Sequence, residues 1–125
     1  MGKTAVFVLT VLNSLGENPG EGSCLVLAHT RELAYQIAKE FDRFSCNLNY
    51  KTQVIYGGEP IEDQIEKLKA DKSPIIVGTP GRVLALTRKG ILDWKNNKIF
   101  ILDECDKMLK ELGKYIKTHY LTFFH

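Results

Sequence analysis

The chain has 125 residues, of which 44% are hydrophobic, 26% charged and 10% aromatic. This is the length and composition of one globular domain, and it excludes a mini-protein, a coiled coil and a membrane protein. Seventeen Lys and Arg residues against fifteen Asp and Glu give a net charge of +2. Charge alone therefore indicates neither a nucleic-acid nor a membrane partner.

The first third of the chain alternates between apolar runs and an amphipathic pattern. Ala5–Leu15 is apolar on nearly all sides, which is typical of a buried helix or of a strand. Cys24–Ala28 is a short continuous apolar run and predicts a strand covered on both faces. Thr30 is predicted to cap the helix that follows. Apolar residues of that helix recur on one stripe, at Leu33, Ile37, Phe41 and Phe44.

The middle third repeats this order twice. Thr52–Tyr56 and Pro74–Val77 predict two more strands. Each precedes a helix with a proline in its first turn, a position where proline is favoured. These prolines are Pro60 in one helix and Pro80 in the other, where Thr79 is the predicted cap. The apolar residues that face inward are Ile61, Ile65 and Leu68 in the first helix and Val83, Leu84 and Leu86 in the second.

The last third begins with the clearest strand, Ile99–Leu102. After the acidic segment Asp103–Asp106, a short helix is predicted to run to about Leu112 and to stop at Gly113. The final segment, 114–125, has four aromatic residues but no clear period, so a helix, a docking tail and an unstructured end all remain open. Alternating strands and helices predict an α/β fold with a parallel sheet and helices on both faces.

Residues that suit phosphate binding precede the first predicted helix. In an open parallel sheet, ligands bind where the strands end and the helices begin. Gly2-Lys3-Thr4 matches the end of the phosphate-binding pattern G-x-x-x-x-G-K-[ST], whose backbone N–H groups hold phosphate oxygens. In this interpretation Lys3 contacts the β- and γ-phosphates and Thr4 ligates Mg²⁺. The tripeptide alone equally fits a solvated start of the chain.

Two adjacent carboxylates, Asp103 and Glu104, follow the strand Ile99–Leu102. P-loop enzymes use such carboxylates to hold their metal and to polarise the attacking water. Asp103 would belong to the Mg²⁺ shell, and Glu104 would orient or deprotonate the water. The alternative is an acidic pair that only complements a helix dipole.

Five short motifs occur in the order found in DEAD-box RNA helicases, which the chain resembles. Gly2-Lys3-Thr4 looks like the end of motif I, and Thr30–Leu33 is similar to the T-R-E-L of motif Ia. Gly57-Gly58 resembles the GG motif and Thr79–Arg82 resembles motif Ib. Asp103–Asp106 matches motif II in a D-E-C-D form, which is similar to that of the spliceosome and mRNA-export helicases.

The resemblance implies a fold, ligands and a location. The fold would be a three-layer αβα RecA-like domain that lacks its first strand, the one that leads into the phosphate loop. Residues 1–113 would be part of the ATP-binding lobe and residues 114–125 a divergent tail. The implied cofactors are ATP and Mg²⁺, and the implied partners are single-stranded RNA and proteins of splicing or mRNA export. The implied location is the nucleus.

The resemblance also implies roles for individual residues. The nucleotide-site residues are Gly2, Lys3, Thr4, Asp103 and Glu104, of which Lys3, Asp103 and Glu104 are catalytic and Thr4 and Asp103 hold Mg²⁺. Asp106 couples this site to the rest of the protein. The residues that grip the RNA backbone are Thr30, Arg31, Gly57, Gly58, Thr79, Gly81 and Arg82. The alternative for Thr30 and Thr79 is that they only cap helices. The alternative for Gly57 and Gly81 is that they only allow the backbone to turn.

The three cysteines are odd in number and form no Cys-x-x-Cys pair, which favours free thiols in a reducing compartment. We assign no metal-binding role to any cysteine or histidine, because their spacing matches no zinc site.

Three interpretations of the activity follow. The sequence holds only the end of the phosphate loop and contains no S-A-T motif or second lobe with its arginines. We therefore expect an ATP-dependent RNA helicase sequence that is inactive in isolation. The competing interpretation is a non-catalytic fragment that binds RNA or a helicase partner. A different P-loop ATPase would leave Thr30–Leu33 and Thr79–Arg82 unexplained.

Overall fold

The computed structural model describes residues 2–16, 19–46, 48, 50–103 and 120–124, and for 2–7, 102–103 and 120–124 it describes the backbone alone. Helices and strands alternate along most of this part of the chain. The helices are α1 (Gly2–Leu15), α2 (Arg31–Phe44), α3 (Ile61–Ala70) and α4 (Pro80–Arg88). The strands are β1 (Cys24–Leu27), β2 (Thr52–Ile55), β3 (Ile75–Gly78), β4 (Ile99–Asp103) and β5 (Tyr120–Phe124).

All five strands form one parallel sheet in the order β2-β3-β1-β4-β5. β1 and β3, in the middle of the sheet, are buried at every position, as their continuous apolar sequences predict. β2 forms one edge, and its residues Thr52, Gln53 and Val54 are only half-buried. The predicted parallel α/β sheet is confirmed.

Helices cover both faces of this sheet. Cys24 and Val26 pack in one apolar cluster with α1 and α2, whereas Leu25 and Leu27 pack in a second cluster with α4 and Leu68 of α3. The alternation follows from the two-residue period of a strand. Buried residues of α1 recur at helical spacing, at Val8, Val11, Leu12 and Leu15. This settles as a helix the segment that the sequence left open between helix and strand.

Burial also determines the state of one thiol. Cys24 is fully buried in β1, and this desolvation raises the pKa of its thiol far above the usual range. The side chain stays protonated and serves as a small apolar group of the core. Cys46, two residues after the end of α2, is an exposed free thiol.

The fold differs from the sequence prediction at Pro60 and resolves part of the final segment. α3 begins at Ile61, so Pro60 occupies the cap position before the first turn and not the first turn itself. Tyr120–Phe124 forms β5, which pairs in parallel with β4, in a segment that the sequence left open. The helix predicted between Asp106 and Leu112 lies outside the described residues. No helix in the described ranges has the length and apolar character needed to cross a membrane.

Candidate nucleic-acid interface

The carboxyl ends of β2, β3 and β1 lie side by side. Ile55 is opposite Gly78, and Gly78 is opposite Leu27, so the three strands end at one level. Two hydrogen bonds extend this ladder: the Thr79 amide donates to the Ile55 carbonyl and the Ala28 amide donates to the Gly78 carbonyl, both at 2.9 Å. The three loops that follow therefore start from one rigid edge, about 5 Å apart at each step.

Thr30 lies in the loop after β1 and caps α2. Its backbone is extended, with φ −126° and ψ 154°, and its hydroxyl oxygen accepts a hydrogen bond from the Leu33 amide at 3.1 Å. The predicted cap is confirmed. Because a threonine hydroxyl is a donor as well as an acceptor, Thr30 keeps a proton that can be donated to an anion near the first-turn amides of α2.

Arg31, the first residue of α2, reaches the loop after β2. Its side chain is exposed, and its guanidinium carbon lies 4.7 Å from the centroid of the Tyr56 ring. This is a cation–π distance. A guanidinium has five N–H donors, and a cation–π contact occupies none of them, so they suit a phosphate.

The two glycines after Tyr56 differ in their surroundings. Gly58 has φ +95°, and a Cβ added there would lie 3.0 Å from Nη1 of Arg31. Glycine is therefore favoured at position 58 both by the backbone and by the neighbouring cation. Gly57 has no positive φ, and an added Cβ would meet open space. Turn geometry explains Gly58, and no contact in the structure explains Gly57.

Arg82, in the first turn of α4, holds the same loop from the other side. Its Nη1 donates to the Glu59 carbonyl and to Oε1 of Gln64, both at 2.9 Å. Gln64 in turn donates from Nε2 to the Tyr56 carbonyl at 2.8 Å. The loop between Tyr56 and Glu59 is thereby fixed at both ends, because these two carbonyls accept from one connected pair of side chains.

The start of α4 carries Thr79 and Gly81 beside this loop. Thr79 has an extended backbone at the cap position, and its carbonyl accepts from the Val83 amide at 3.1 Å. Its side chain makes no cap hydrogen bond, so the prediction that its hydroxyl caps α4 is wrong. The proline that follows does not explain this, because a cap hydroxyl accepts from the second or third helical amide and proline at the first position removes neither. Gly81 is exposed in the first turn.

The predicted nucleotide residues belong to two other elements of the same fold. The backbone of Gly2, Lys3 and Thr4 forms the first turn of α1. Since α1 packs on the sheet and leads into β1, this turn is directed towards the carboxyl edge. Asp103 is the last residue of β4, opposite Phe124 of β5. Glu104 and Asp106 lie outside the described residues.

Sequence analysis missed three residues of this edge. Gln64 is only 3% exposed, and its position between Ile61 and Leu68 on the inward stripe of α3 was the available signal. Tyr56 gave no signal beyond its place before two glycines. The third residue is Gly78, which lets β3 pack closely against α4. A Cβ added there would lie 2.6 Å from Cγ2 of Val83.

The sequence matches a protein-family model and known RNA helicases. A protein-family model described as DEAD/DEAH box helicase matches residues 1–123. The ATP-dependent RNA helicase sub2 of Aspergillus fumigatus is 57% identical over 117 residues, which are 91% of this chain and 26% of that protein. The chain thus spans about a quarter of the length of this curated relative.

Solved structures share the fold. A DEAD box protein from the hyperthermophile Methanococcus jannaschii superposes with a TM-score of 0.86 at 38% identity, over 98% of this chain and 36% of that one. Dbp5 of S. cerevisiae, bound to RNA and ADP BeF3, gives a TM-score of 0.79 at 27% identity, over 98% and 33%. A Dbp5 variant bound to nup159 and gle1 gives 0.81 at 28%, over 98% and 34%. These matches confirm the predicted three-layer, RecA-like fold.

Proposed function

Because the chain belongs to the DEAD/DEAH box helicase family, we propose that it is part of an ATP-dependent RNA helicase of the splicing and mRNA-export type. The 57% identity to sub2 and the D-E-C-D sequence at 103–106 support this subgroup. The proposed reaction is RNA-stimulated hydrolysis of ATP, which drives the remodelling of RNA duplexes and RNA–protein complexes.

The convergence of three loops on one sheet edge carries this proposal. We call this surface, formed by Thr30, Arg31, Gly57, Gly58 and residues 79–82, the RNA edge. Thr30 and Arg31 after β1, the glycines after β2 and Thr79 to Arg82 after β3 supply hydroxyls, amides and guanidinium groups. These groups suit the phosphates and riboses of an RNA strand, and they read no base edge. We therefore propose sequence-independent binding of single-stranded RNA that weakens with salt.

Arg82 has a more specific part in this proposal than a direct contact. Its Nη1 is engaged with the Glu59 carbonyl and with Gln64, so it fixes the loop that presents Gly57 and Gly58. Removing Arg82 would release this loop and leave the buried Gln64 without one of its partners. Its effect on RNA binding would then come largely through the loop.

For the nucleotide, we propose that Gly2, Lys3 and Thr4 bind the phosphates and that Asp103 with Thr4 holds Mg²⁺. The donor set fits this group, because the first turn of α1 contains a lysine and a threonine and no acidic residue. Bound Mg²⁺ neutralises charge on the β- and γ-phosphates. Glu104 would orient the attacking water and accept its proton, and Asp106 would couple the nucleotide site to the RNA edge.

We further propose partners in mRNA processing and export and a nuclear location. The relation to sub2 and to Dbp5, which has been seen with RNA and with nup159 and gle1, supports this proposal. A reducing compartment is consistent with the free thiols of Cys24 and Cys46.

A salt titration with a matched pair of arginine variants tests the RNA site. Binding of a labelled oligouridylate is measured at several salt concentrations for the parent, Arg31→Ala and Arg43→Ala. Arg31→Ala removes one phosphate contact, so the slope of log K against log salt should fall in magnitude by about 0.7. Arg43 is the control, because it is also exposed, in the last turn of α2, and stacks 5.1 Å from the Phe44 ring.

Equal slopes for the parent and Arg31→Ala, or an equal loss in Arg43→Ala, would contradict the proposed RNA edge.

Repeating the titration with Mg-ATP distinguishes a helicase part from a non-catalytic RNA-binding module. RNA affinity that changes with Mg-ATP supports the helicase part. RNA affinity that is the same with and without Mg-ATP supports the module.

A further inference from the structure

We propose that Tyr56 is a positioning residue that holds the Arg31 guanidinium at the RNA edge before RNA arrives. The inference rests on the proposed function, since it states how one of the RNA contacts is prepared. Tyr56 would act through Arg31 and would itself touch no RNA group.

The backbone of Tyr56 is held in place and its side chain is half-buried, whereas the Arg31 side chain is exposed. Tyr56 directly follows β2, it is half-buried, and its carbonyl accepts from the buried Gln64. Arg31 is exposed on the first turn of α2. An exposed arginine loses much rotamer freedom when it binds a fixed anion. A ring 4.7 Å from its guanidinium carbon restricts that freedom in advance and so lowers the cost of binding.

The missing side chain of Gly58 completes this arrangement. A Cβ there would come within 3.0 Å of Nη1 of Arg31, so glycine leaves the guanidinium room to lie over the ring. The guanidinium can then stay beside the Tyr56 ring while its N–H donors bind a phosphate.

This contact differs from the other cation–π pairs among the described residues. Lys39 with Tyr35, at 5.0 Å, and Arg43 with Phe44, at 5.1 Å, each lie within α2. Arg31, at the start of α2, and Tyr56, in the loop after β2, follow two strands that are separated by β3. The pair therefore joins two parts of the proposed RNA edge, which the pairs within α2 do not.

A double-mutant cycle tests the inference. Oligouridylate affinity is compared for the parent, Tyr56→Phe, Tyr56→Leu, Arg31→Ala and the Tyr56→Leu/Arg31→Ala double variant. Tyr56→Leu should weaken binding about two- to five-fold, the range of an exposed cation–π contact. Tyr56→Phe keeps the ring and should bind like the parent. In the Arg31→Ala background, Tyr56→Leu should cause no further loss.

A second measurement does not depend on RNA. The δ protons of Arg31 should show an upfield ring-current shift in the NMR spectrum of the free chain. Tyr56→Phe should retain this shift, and Tyr56→Leu should abolish it. The same spectra report whether each variant is folded.

The outcomes distinguish failure of the Tyr56 inference from failure of the proposed RNA edge. The inference is overturned if the Arg31 protons show no ring-current shift. It is also overturned if the parent binds RNA and Tyr56→Leu binds equally well, or if the Tyr56→Leu loss persists without Arg31. These outcomes leave the proposed RNA edge intact. A parent chain that does not bind oligouridylate overturns both.

Discussion

Gly58 has a backbone conformation that alanine adopts only with strain. Its φ of +95° is disfavoured for residues with a side chain, and the added methyl group would approach Nη1 of Arg31 to 3.0 Å. We expect Gly58→Ala to lower the free energy of unfolding by about 1–3 kcal/mol, the usual cost of such backbone strain. Urea denaturation measures this change as a lower midpoint with an unchanged m value.

Gly57→Ala provides the matched control for this measurement. The added Cβ at Gly57 meets open space, and its φ is not positive, so its stability should stay within about 0.5 kcal/mol of the parent. Equal destabilisation by the two substitutions would show that the turn, and not the position of Gly58, sets the cost.

The sequence motifs marked the loops of the proposed RNA edge but not the side chains that support them. Thr30 was predictable because a hydroxyl residue before an amphipathic run is a helix cap. Gln64 was not assigned, because its hydrogen bonds join α3 to a loop and to α4, and a single sequence contains no record of such tertiary contacts. Thr79 occupies the cap position without a side-chain cap hydrogen bond, and its sequence neighbours do not explain why.

At the scale of elements, β3 and α4 meet at Gly78. A Cβ on this residue would lie 2.6 Å from Cγ2 of Val83 and 2.7 Å from the carbonyl oxygen of Ile55. The second atom belongs to the backbone of β2, so it cannot rotate away. We expect Gly78→Ala to destabilise the fold by about 1–3 kcal/mol through overpacking, which thermal or urea unfolding would detect.

Gly20→Ala is the corresponding control in a loop. Its added Cβ would approach Nδ2 of the exposed Asn96 at 3.0 Å and Cβ of the same residue at 3.2 Å. Both residues lie outside the helices and strands, where a shift of a few tenths of an ångström relieves these contacts. The expected change is within about 0.5 kcal/mol. If Gly78→Ala were equally mild, the close packing of β2, β3 and α4 described here would be wrong.

Elements with a strong local pattern were the ones that sequence predicted. β1, β3 and β4 are apolar runs bounded by turns, and α2 has one apolar stripe. β5 has no such pattern, and its assignment comes from pairing with β4. α1 was ambiguous because a helix against the sheet with few polar residues resembles a strand in composition.

At the scale of the whole chain, a polypeptide of these 125 residues is expected to release phosphate from ATP negligibly. Its sequence has only the last three residues of the G-x-x-x-x-G-K-[ST] pattern, and the family resemblance assigns the arginine donors to a second lobe. Both groups act on charge that develops in the transition state. Phosphate release is measured with and without RNA.

Glu104→Gln is the control, because it removes the proposed acceptor of the proton from water. RNA-stimulated phosphate release that this substitution abolishes would show that the polypeptide is an active ATPase and would contradict the expectation.

The strand order β2-β3-β1 determines when the loops of the proposed RNA edge can come together. The loop bearing Thr30 and the loop bearing Gly58 are synthesised first, but they are brought next to each other only when Ile75–Gly78 inserts between their strands. A nascent chain that ends before this strand has both loops and no interface. During translation, the loops of the proposed RNA edge can therefore become neighbours only after the strand Ile75–Gly78 has left the ribosome and taken its place in the sheet.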